Sequence, residues 1–322
     1  MKIHQDFQLA PILYYKIGGI VKCLIEAQSS QDLKEALEFI NNQKISKVLV
    51  IGTGANILMT DEYFDGVVLR MLPSQESQIE DIGQGLIKAY AGENLDQVIK
   101  FAFDNSYRGL EWAGGLPGTV GAAVRGNVGA FGGEIKELIE SVEVFDSKAK
   151  KLELKKLTKE NLNFSYRNSL IKQNNNLIVV SVVFKLKKAS PEDLENAREK
   201  YSECIEYRKK NHPLNYPNSG SVFKNIEKKE EVEKVIYVWP DIKNDIETKW
   251  HGKVSMGHCI NRLGLAGYKI GDAQISYKHN NFIVNLGNAK YSDVINIIET
   301  VQQKFSTTFG FTPEVEVEII KP

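Results

Sequence analysis

The sequence predicts an α+β protein of two or three domains. Three observations lead there. Its 322 residues exceed a typical domain of about 100–200 residues. It carries both helical and strand periodicity, with no internal repeat and no low-complexity stretch. Its glycines are unevenly spread and crowd into 52–66 and 83–133. Glycine tolerates positive φ and lets backbone approach a ligand closely, so this region reads as a ligand cradle.

Taken in order, residues 31–43 predict an amphipathic helix. Leu33, Ala36, Leu37 and Ile40 recur there at helical spacing, behind Ser30 as the N-cap. A short buried strand follows at 47–51, closed by Gly52. Residues 95–105 read as a second helix. Apolar runs at 142–146 and 177–186 read as strands. From 191 to 210 the chain turns helical and charged, and reads as a connection to another domain. The charge run at 226–234 reads as a solvated helix face. Val294, Ile297, Ile298, Val301 and Phe305 give one apolar face to a helix over 291–305. The last strand is expected at 314–320.

Composition narrows the function classes. Hydrophobic residues at 42% and charged residues at 25% exclude a mainly disordered chain. Lys+Arg and Asp+Glu are both 41. This balance argues against non-specific binding of nucleic acid, which draws on a basic excess. No apolar run approaches the roughly 18 residues of a membrane span. Met1-Lys2-Ile3-His4-Gln5-Asp6 lacks the apolar core of a signal peptide, so a cytoplasmic protein off the membrane is expected. Cys23, Cys204 and Cys259 are odd in number and far apart. They suit reduced thiols better than a disulfide framework or a metal site.

Two glycine loops carry the chemistry. Gly52-Thr53-Gly54-Ala55-Asn56-Ile57 follows a strand, as a dinucleotide fingerprint does. Ile57 stands where that fingerprint needs its third glycine, and no helix opens after it, which argues against a Rossmann fold. Two readings remain for the loop. Its successive N–H groups form an anion-binding nest for a pyrophosphate, or it is a tight turn between strands. The run 109–133 is richer in Gly and Ala, which bury little area. Within it, Leu116-Pro117-Gly118-Thr119-Val120-Gly121-Ala122-Ala123 mixes rigid with apolar residues, unlike a generic loop. A large planar ligand passing bare backbone accounts for this composition.

Four patches together resemble the UDP-N-acetylenolpyruvoylglucosamine reductase family (UDP-N-acetylmuramate dehydrogenase, MurB). They are Val50-Ile51-Gly52-Thr53-Gly54-Ala55-Asn56-Ile57-Leu58 with Asp61 and Gly66, and 116–123 running on to Asn127-Val128-Gly129-Ala130. Then come Phe164-Ser165-Tyr166-Arg167-Asn168-Ser169 and Gly220-Ser221-Val222-Phe223-Lys224-Asn225. The tail agrees, through Gly264-Leu265-Ala266-Gly267, His279-Asn280-Asn281-Phe282-Ile283-Val284-Asn285 and Pro313-Glu314-Val315. The resemblance covers nearly the whole chain, in order. The spacing from Tyr166-Arg167 to Ser221 resembles the shorter family subtype.

The resemblance implies a two-lobed FAD-binding domain of the PCMH/vanillyl-alcohol-oxidase type, then an α+β substrate domain. The blocks expected are 1–75, 76–190 and 200–322, the last strand perhaps returning to the FAD domain. It implies that NADPH reduces FAD, which then reduces the enolpyruvyl group of a UDP-sugar, giving UDP-N-acetylmuramate for peptidoglycan. Gly52, Thr53, Gly54, Ala55, Asn56, Gly115, Pro117, Gly118, Thr119, Gly121 and Ala122 match its FAD-binding positions. Arg167 and Glu314 match the residues that stabilise the enolate, and Ser221 the proton donor. A guanidinium fork suits a carboxylate. From spacing alone Glu316 or Glu318, on the same strand face, could serve as well, and the family pattern at Pro313-Glu314-Val315 picks Glu314. In that role it is expected to be protonated or to share a proton, its pKa raised. Tyr166, Arg208, Lys210 and Asn225 are expected on the substrate, the two basic residues near its diphosphate. No metal is implied, and a monomer is expected. None of the five histidines lies between Gln5 and Asn211, so FAD is expected to be held without a histidine linkage. Another FAD oxidoreductase of this fold, or a non-catalytic flavin-binding relative, would share several of these motifs.

The chain departs from the family pattern in places. Ala55 stands where a serine is usual, Gly126 where a methionine is, and Val128 where an alanine is. About 28 residues, 226–253, replace a short proline-containing link after Lys224-Asn225; of a lid, a partner surface and a lineage-specific surface elaboration, the last is the favoured reading.

Overall fold

Leu33, Ala36, Leu37 and Ile40 are buried along one face of helix Ser30–Asn42. In this computed structural model, which describes residues 1–149 and 151–321, Ser30 is the first helical residue and Ser29 is the cap. The Ser29 hydroxyl accepts a hydrogen bond from Asp32 N at 3.0 Å, an arrangement that stabilises a helix by about 1 kcal/mol. The helix joins strand Ile20–Ala27 to strand Val48–Ile51. Both pair in parallel with Phe64–Met71, and Lys2–Gln8 completes a four-stranded sheet. Parallel neighbours need such a crossover, because no tight turn can reverse the chain twice.

A second sheet is antiparallel throughout. Its order is Lys155–Thr158, Ile139–Asp146, Leu177–Lys185, Leu86–Tyr90, Ile79–Asp81. The apolar run in Leu177–Lys185 makes it the buried central strand. Helix Leu95–Asp104 buries Leu95, Val98, Ile99, Ala102 and Phe103, and one apolar cluster runs through both sheets. Helix Pro191–Asn211 is polar on most sides and buries Ala197, Cys204 and Arg208.

The chain forms two units, each discontinuous. The first holds Met1–Phe7, Val21–Thr53 and Phe64–Lys210. The second holds Gln8–Ile20, Gly54–Tyr63 and Asn211–Pro322. This partition differs from the contiguous blocks 1–75, 76–190 and 200–322. The two sheets of the first unit share one core, and two early segments belong with the C-terminal third.

The second unit is built on helix Tyr291–Phe309, which buries Val294, Ile297, Ile298, Val301, Phe305 and Phe309. It ends at Gly310, whose φ of 73° is left-handed, the usual glycine stop. Antiparallel strands Lys269–Ile270, Ala273–Ile275 and Ile283–Asn285 contribute to the same core. Residues 226–253 are part of that core. Ile226, Val235, Ile242 and Ile246 are buried in it, and the Trp239 ring packs edge-on to Phe309 at 4.8 Å. Helix Lys229–Val238 thus has a packed face as well as a charged one. The last regular strand is Glu318–Ile320, shorter than 314–320. It pairs in parallel with Ile57–Met59, which lies in this unit. Among the described residues no helix is long and apolar enough to cross a membrane.

Candidate active site

In the first unit, the glycine-rich run is fixed by backbone hydrogen bonds. Leu95 N donates to Gly118 O, Val120 N to Glu93 O, and Gly121 N to Ala91 O, at 2.9–3.2 Å. Several glycines are there for close packing. A Cβ on Gly114 would lie 2.5 Å from Tyr201 O, one on Gly121 2.9 Å from Ala91 Cβ, and one on Gly133 2.4 Å from the Trp112 ring. A planar ligand is therefore not the reason for those three. Gly118 differs: its φ is +132°, and a Cβ there would meet open space. Pro117 and Ala122 are exposed beside it.

Within the first unit, Gly52 abuts the second glycine run. A Cβ on Gly52 would lie 2.4 Å from Thr119 Oγ1, so only glycine fits against this buried threonine. Thr53 is half-buried, the last residue assigned to the first unit. Gly54, Ala55 and Asn56 open the second. Gly54 has φ +72°, and Asn56 Nδ2 donates to Glu316 O at 3.4 Å. Within the second unit, the N–H groups of Gly54, Ala55 and Asn56 have no backbone acceptor among the described residues. That favours the nest over a self-satisfied turn.

Arg208 is buried beneath the same run, not on a solvated helix face. Its Nε donates to Gly114 O at 2.9 Å, and a Cβ on Gly115 would lie 3.2 Å from its Cδ. Its Nη2 is buried with no partner, and burial lowers its pKa from the ordinary arginine value. Its ring neighbour is Phe131, 5.1 Å below the guanidinium. Lys210, expected beside it on a diphosphate, is exposed on the same helix. Residues two apart on a helix do not share a face. A buried guanidinium with one unpartnered nitrogen, under the run that leaves the backbone open at Gly118, fits an anionic dinucleotide such as FAD.

Arg167 and Tyr166 form the tip of a two-residue hairpin, closed by mutual hydrogen bonds of Ser165 and Asn168 at 3.1 Å. Arg167 has φ 54°, a left-handed conformation that costs a non-glycine residue roughly 1 kcal/mol. Its Nη2 donates to Gly129 O at 2.8 Å, and its guanidinium stacks on the Tyr166 ring. Asn127, fully buried, has a structural role that its place in Asn127-Val128-Gly129-Ala130 did not reveal. Its Nδ2 donates to Ser165 O at 2.8 Å and to Glu134 Oε2 at 3.3 Å, tying the hairpin to the glycine run. Ser169 Oγ adds a hydrogen bond to Arg125 O at 2.7 Å.

In the second unit, Ser221 follows Gly220, whose φ of 76° turns the chain. Asn281 holds the segment after it from both sides. Phe223 N donates to its Oδ1 at 3.0 Å, and its Nδ2 donates to Phe223 O at 2.8 Å. The segment runs against residues 314–316, with Lys224 N donating to Glu314 O at 2.9 Å and Glu316 N to Val222 O at 2.7 Å. Asn225 Oδ1 accepts from Met256 N at 3.1 Å, a structural role beside its exposed amide.

Glu314 differs from the protonated acid expected. Its side chain is 46% exposed. Lys228 Nζ donates to Oε1 at 2.5 Å, and Lys224 Nζ to Oε2 at 3.0 Å. The Lys228 hydrogen bond, with that of Lys224, lowers its pKa below the usual carboxylate range. Among the described residues no cluster of His, Cys, Asp and Glu could hold a metal ion.

Comparison with known proteins sets these features in a family. Residues 212–320 match the model of the UDP-N-acetylenolpyruvoylglucosamine reductase C-terminal domain. Residues 21–155 match an FAD-binding domain. A UDP-N-acetylenolpyruvoylglucosamine reductase of Fusobacterium nucleatum is 34% identical over 321 residues, all of both chains. The chain belongs to the UDP-N-acetylenolpyruvoylglucosamine reductase family. That of Caldicellulosiruptor bescii is also 34% identical, over 98% of this chain and 90% of its own. The MurB crystal structure from Thermus caldophilus covers 100% of both chains at 28% identity, with a TM-score of 0.76. This MurB-family chain is an oxidoreductase with an FAD-binding domain, and the α+β expectation is borne out.

Proposed function

We propose that this MurB-family protein reduces UDP-N-acetylglucosamine enolpyruvate to UDP-N-acetylmuramate, with FAD held noncovalently and NADPH as reductant. One observation carries the reading: full-length identity of 34% to a relative named for that activity. It acts as a cytoplasmic monomer on a UDP-sugar, a step in peptidoglycan synthesis.

FAD, when bound, would accept hydride from a nicotinamide and deliver it to the enolpyruvyl carbon. Gly52, Thr53, Gly54, Ala55, Asn56, Gly115, Pro117, Gly118, Thr119, Gly121 and Ala122 are the residues to hold it. The orphaned Nη2 of Arg208 supports moving that residue from the substrate diphosphate to the cofactor. Arg167 binds the substrate carboxylate and stabilises negative charge developing beside it. Tyr166, Lys210 and Asn225 contact substrate. Ser221 gives its hydroxyl proton to the carbon; serine is a very weak acid, so placement decides its efficiency. Glu314 takes part in stabilising the enolate as the centre of an ion triad: ionised, it holds the Lys224 and Lys228 ammonium groups, whose positive charge offsets the developing negative charge.

The test is NADPH oxidation by the purified yellow protein with and without UDP-N-acetylglucosamine enolpyruvate. Oxidation that does not respond to this substrate rejects the reading. In Ser221→Ala, flavin reduction by NADPH stays intact while reoxidation by substrate slows roughly a hundred- to ten-thousand-fold. Equal loss in both half-reactions removes Ser221 as proton donor.

A further inference from the structure

Residues 226–253, which set this chain apart from the family pattern, bring a residue to Glu314. We propose that Lys228 is a positioning residue for Glu314: with Lys224 it forms a two-lysine clamp that fixes the carboxylate's place and charge. The proposal rests on the reading of Glu314 as a participant in the reaction.

The geometry is specific. Each carboxylate oxygen has its own lysine, Oε1 taking Lys228 and Oε2 taking Lys224. Two separate donors fix the carboxylate's rotation as well as its position, which one lysine does not. Lys224 is held by its own backbone, since its N–H donates to Glu314 O. Lys228 precedes helix Lys229–Val238, and that helix is anchored where the Glu314 segment begins. Val235 is fully buried, Trp239 packs on Phe309, and Lys234 Nζ reaches Gly310 O at 3.5 Å. The packed face of the helix thereby sets how far Lys228 stands from Glu314.

The charged groups around Glu314 come from three segments. Lys224 belongs to 221–225. Lys228 comes with Glu231 behind it, its carboxylate 3.5 Å from Lys228 Nζ. Glu316 lies two residues on in Glu314's own segment, and the adjacent Glu227 is occupied by Lys253 at 2.9 Å. The cations in contact with Glu314 favour its ionised form, so its proton is taken up only at lower pH. Lys228 is 60% exposed and caps no helix through its side chain, so replacing it leaves the fold intact.

The experiment compares the holoenzyme with Lys228→Met and Lys228→Arg. Carboxyl-detected NMR follows the Glu314 titration, assigned by its loss in Glu314→Gln, and the pH profile of flavin reoxidation by substrate is measured alongside. In Lys228→Met the Glu314 midpoint rises by about half a unit to one unit, less than a buried pair would give. The acid limb of the profile moves up with it, and Lys228→Arg restores both. A midpoint unmoved in Lys228→Met overturns the clamp and leaves the role of Glu314 standing. A midpoint that moves under an unmoved profile removes Glu314 from the reaction, and with it the positioning role of Lys228.

Discussion

Arg208 carries a charge that the fold only half satisfies. One donor is bound to Gly114 O, while Nη2 is buried with no partner. An unmatched buried donor costs roughly 1–3 kcal/mol, more when charged, and under the proposed assignment a bound phosphate or flavin carbonyl would relieve it. Arg208→Met is therefore expected to weaken FAD binding about ten- to a hundredfold, read by flavin fluorescence titration, without lowering the unfolding midpoint of the apoprotein. Unchanged affinity would contradict the assignment. Lys210→Met on the same helix is the control. That Arg208 and Lys210 face apart was legible in their spacing of two. The orphaned Nη2 was not, because it depends on Gly114 and Phe131, nearly a hundred residues away in sequence for one and about 77 for the other. Glu314 is the converse case: its position was legible in Pro313-Glu314-Val315, but its charge depends on Lys228, which no spacing pointed to.

At the scale of elements, periodicity located the main helices and their buried faces, since Leu33, Val294 and their partners answer to a single period. It failed where one segment serves two partners. Glu and Val alternate from 314 to 318 as in a strand, yet residues 314–316 bond to Val222 and Lys224, and Glu318–Ile320 pairs with Ile57–Met59. The change of partner near Val317 breaks the strand that the alternation predicts. Asn281, which pins the Ser221 segment from both sides, gave no signal beyond its place in a family motif. Its side chain makes two buried hydrogen bonds to Phe223. Asn281→Ala is expected to lower stability by about 1–3 kcal/mol in urea unfolding, and a loss below about 0.5 kcal/mol would show that Phe223 finds other partners.

At the scale of the whole molecule, the three cysteines give the simplest test. All are free and buried, and burial pushes the Cys23 and Cys204 thiols up and that of Cys259 up to about 12. The nucleophilic thiolate is therefore scarce as well as shielded. All three should resist a thiol reagent in the native state and react together on unfolding. A cysteine that reacts fast in the folded protein would contradict the packing around it. Ile57–Met59 has a different consequence. Its backbone partner, Glu318–Ile320, is synthesised about 260 residues later. On the ribosome these three apolar residues emerge early and stay unpaired until Glu318–Ile320 has been made. A chain that stops before Glu318 would thus carry its defect in the first sixty residues, far from the break.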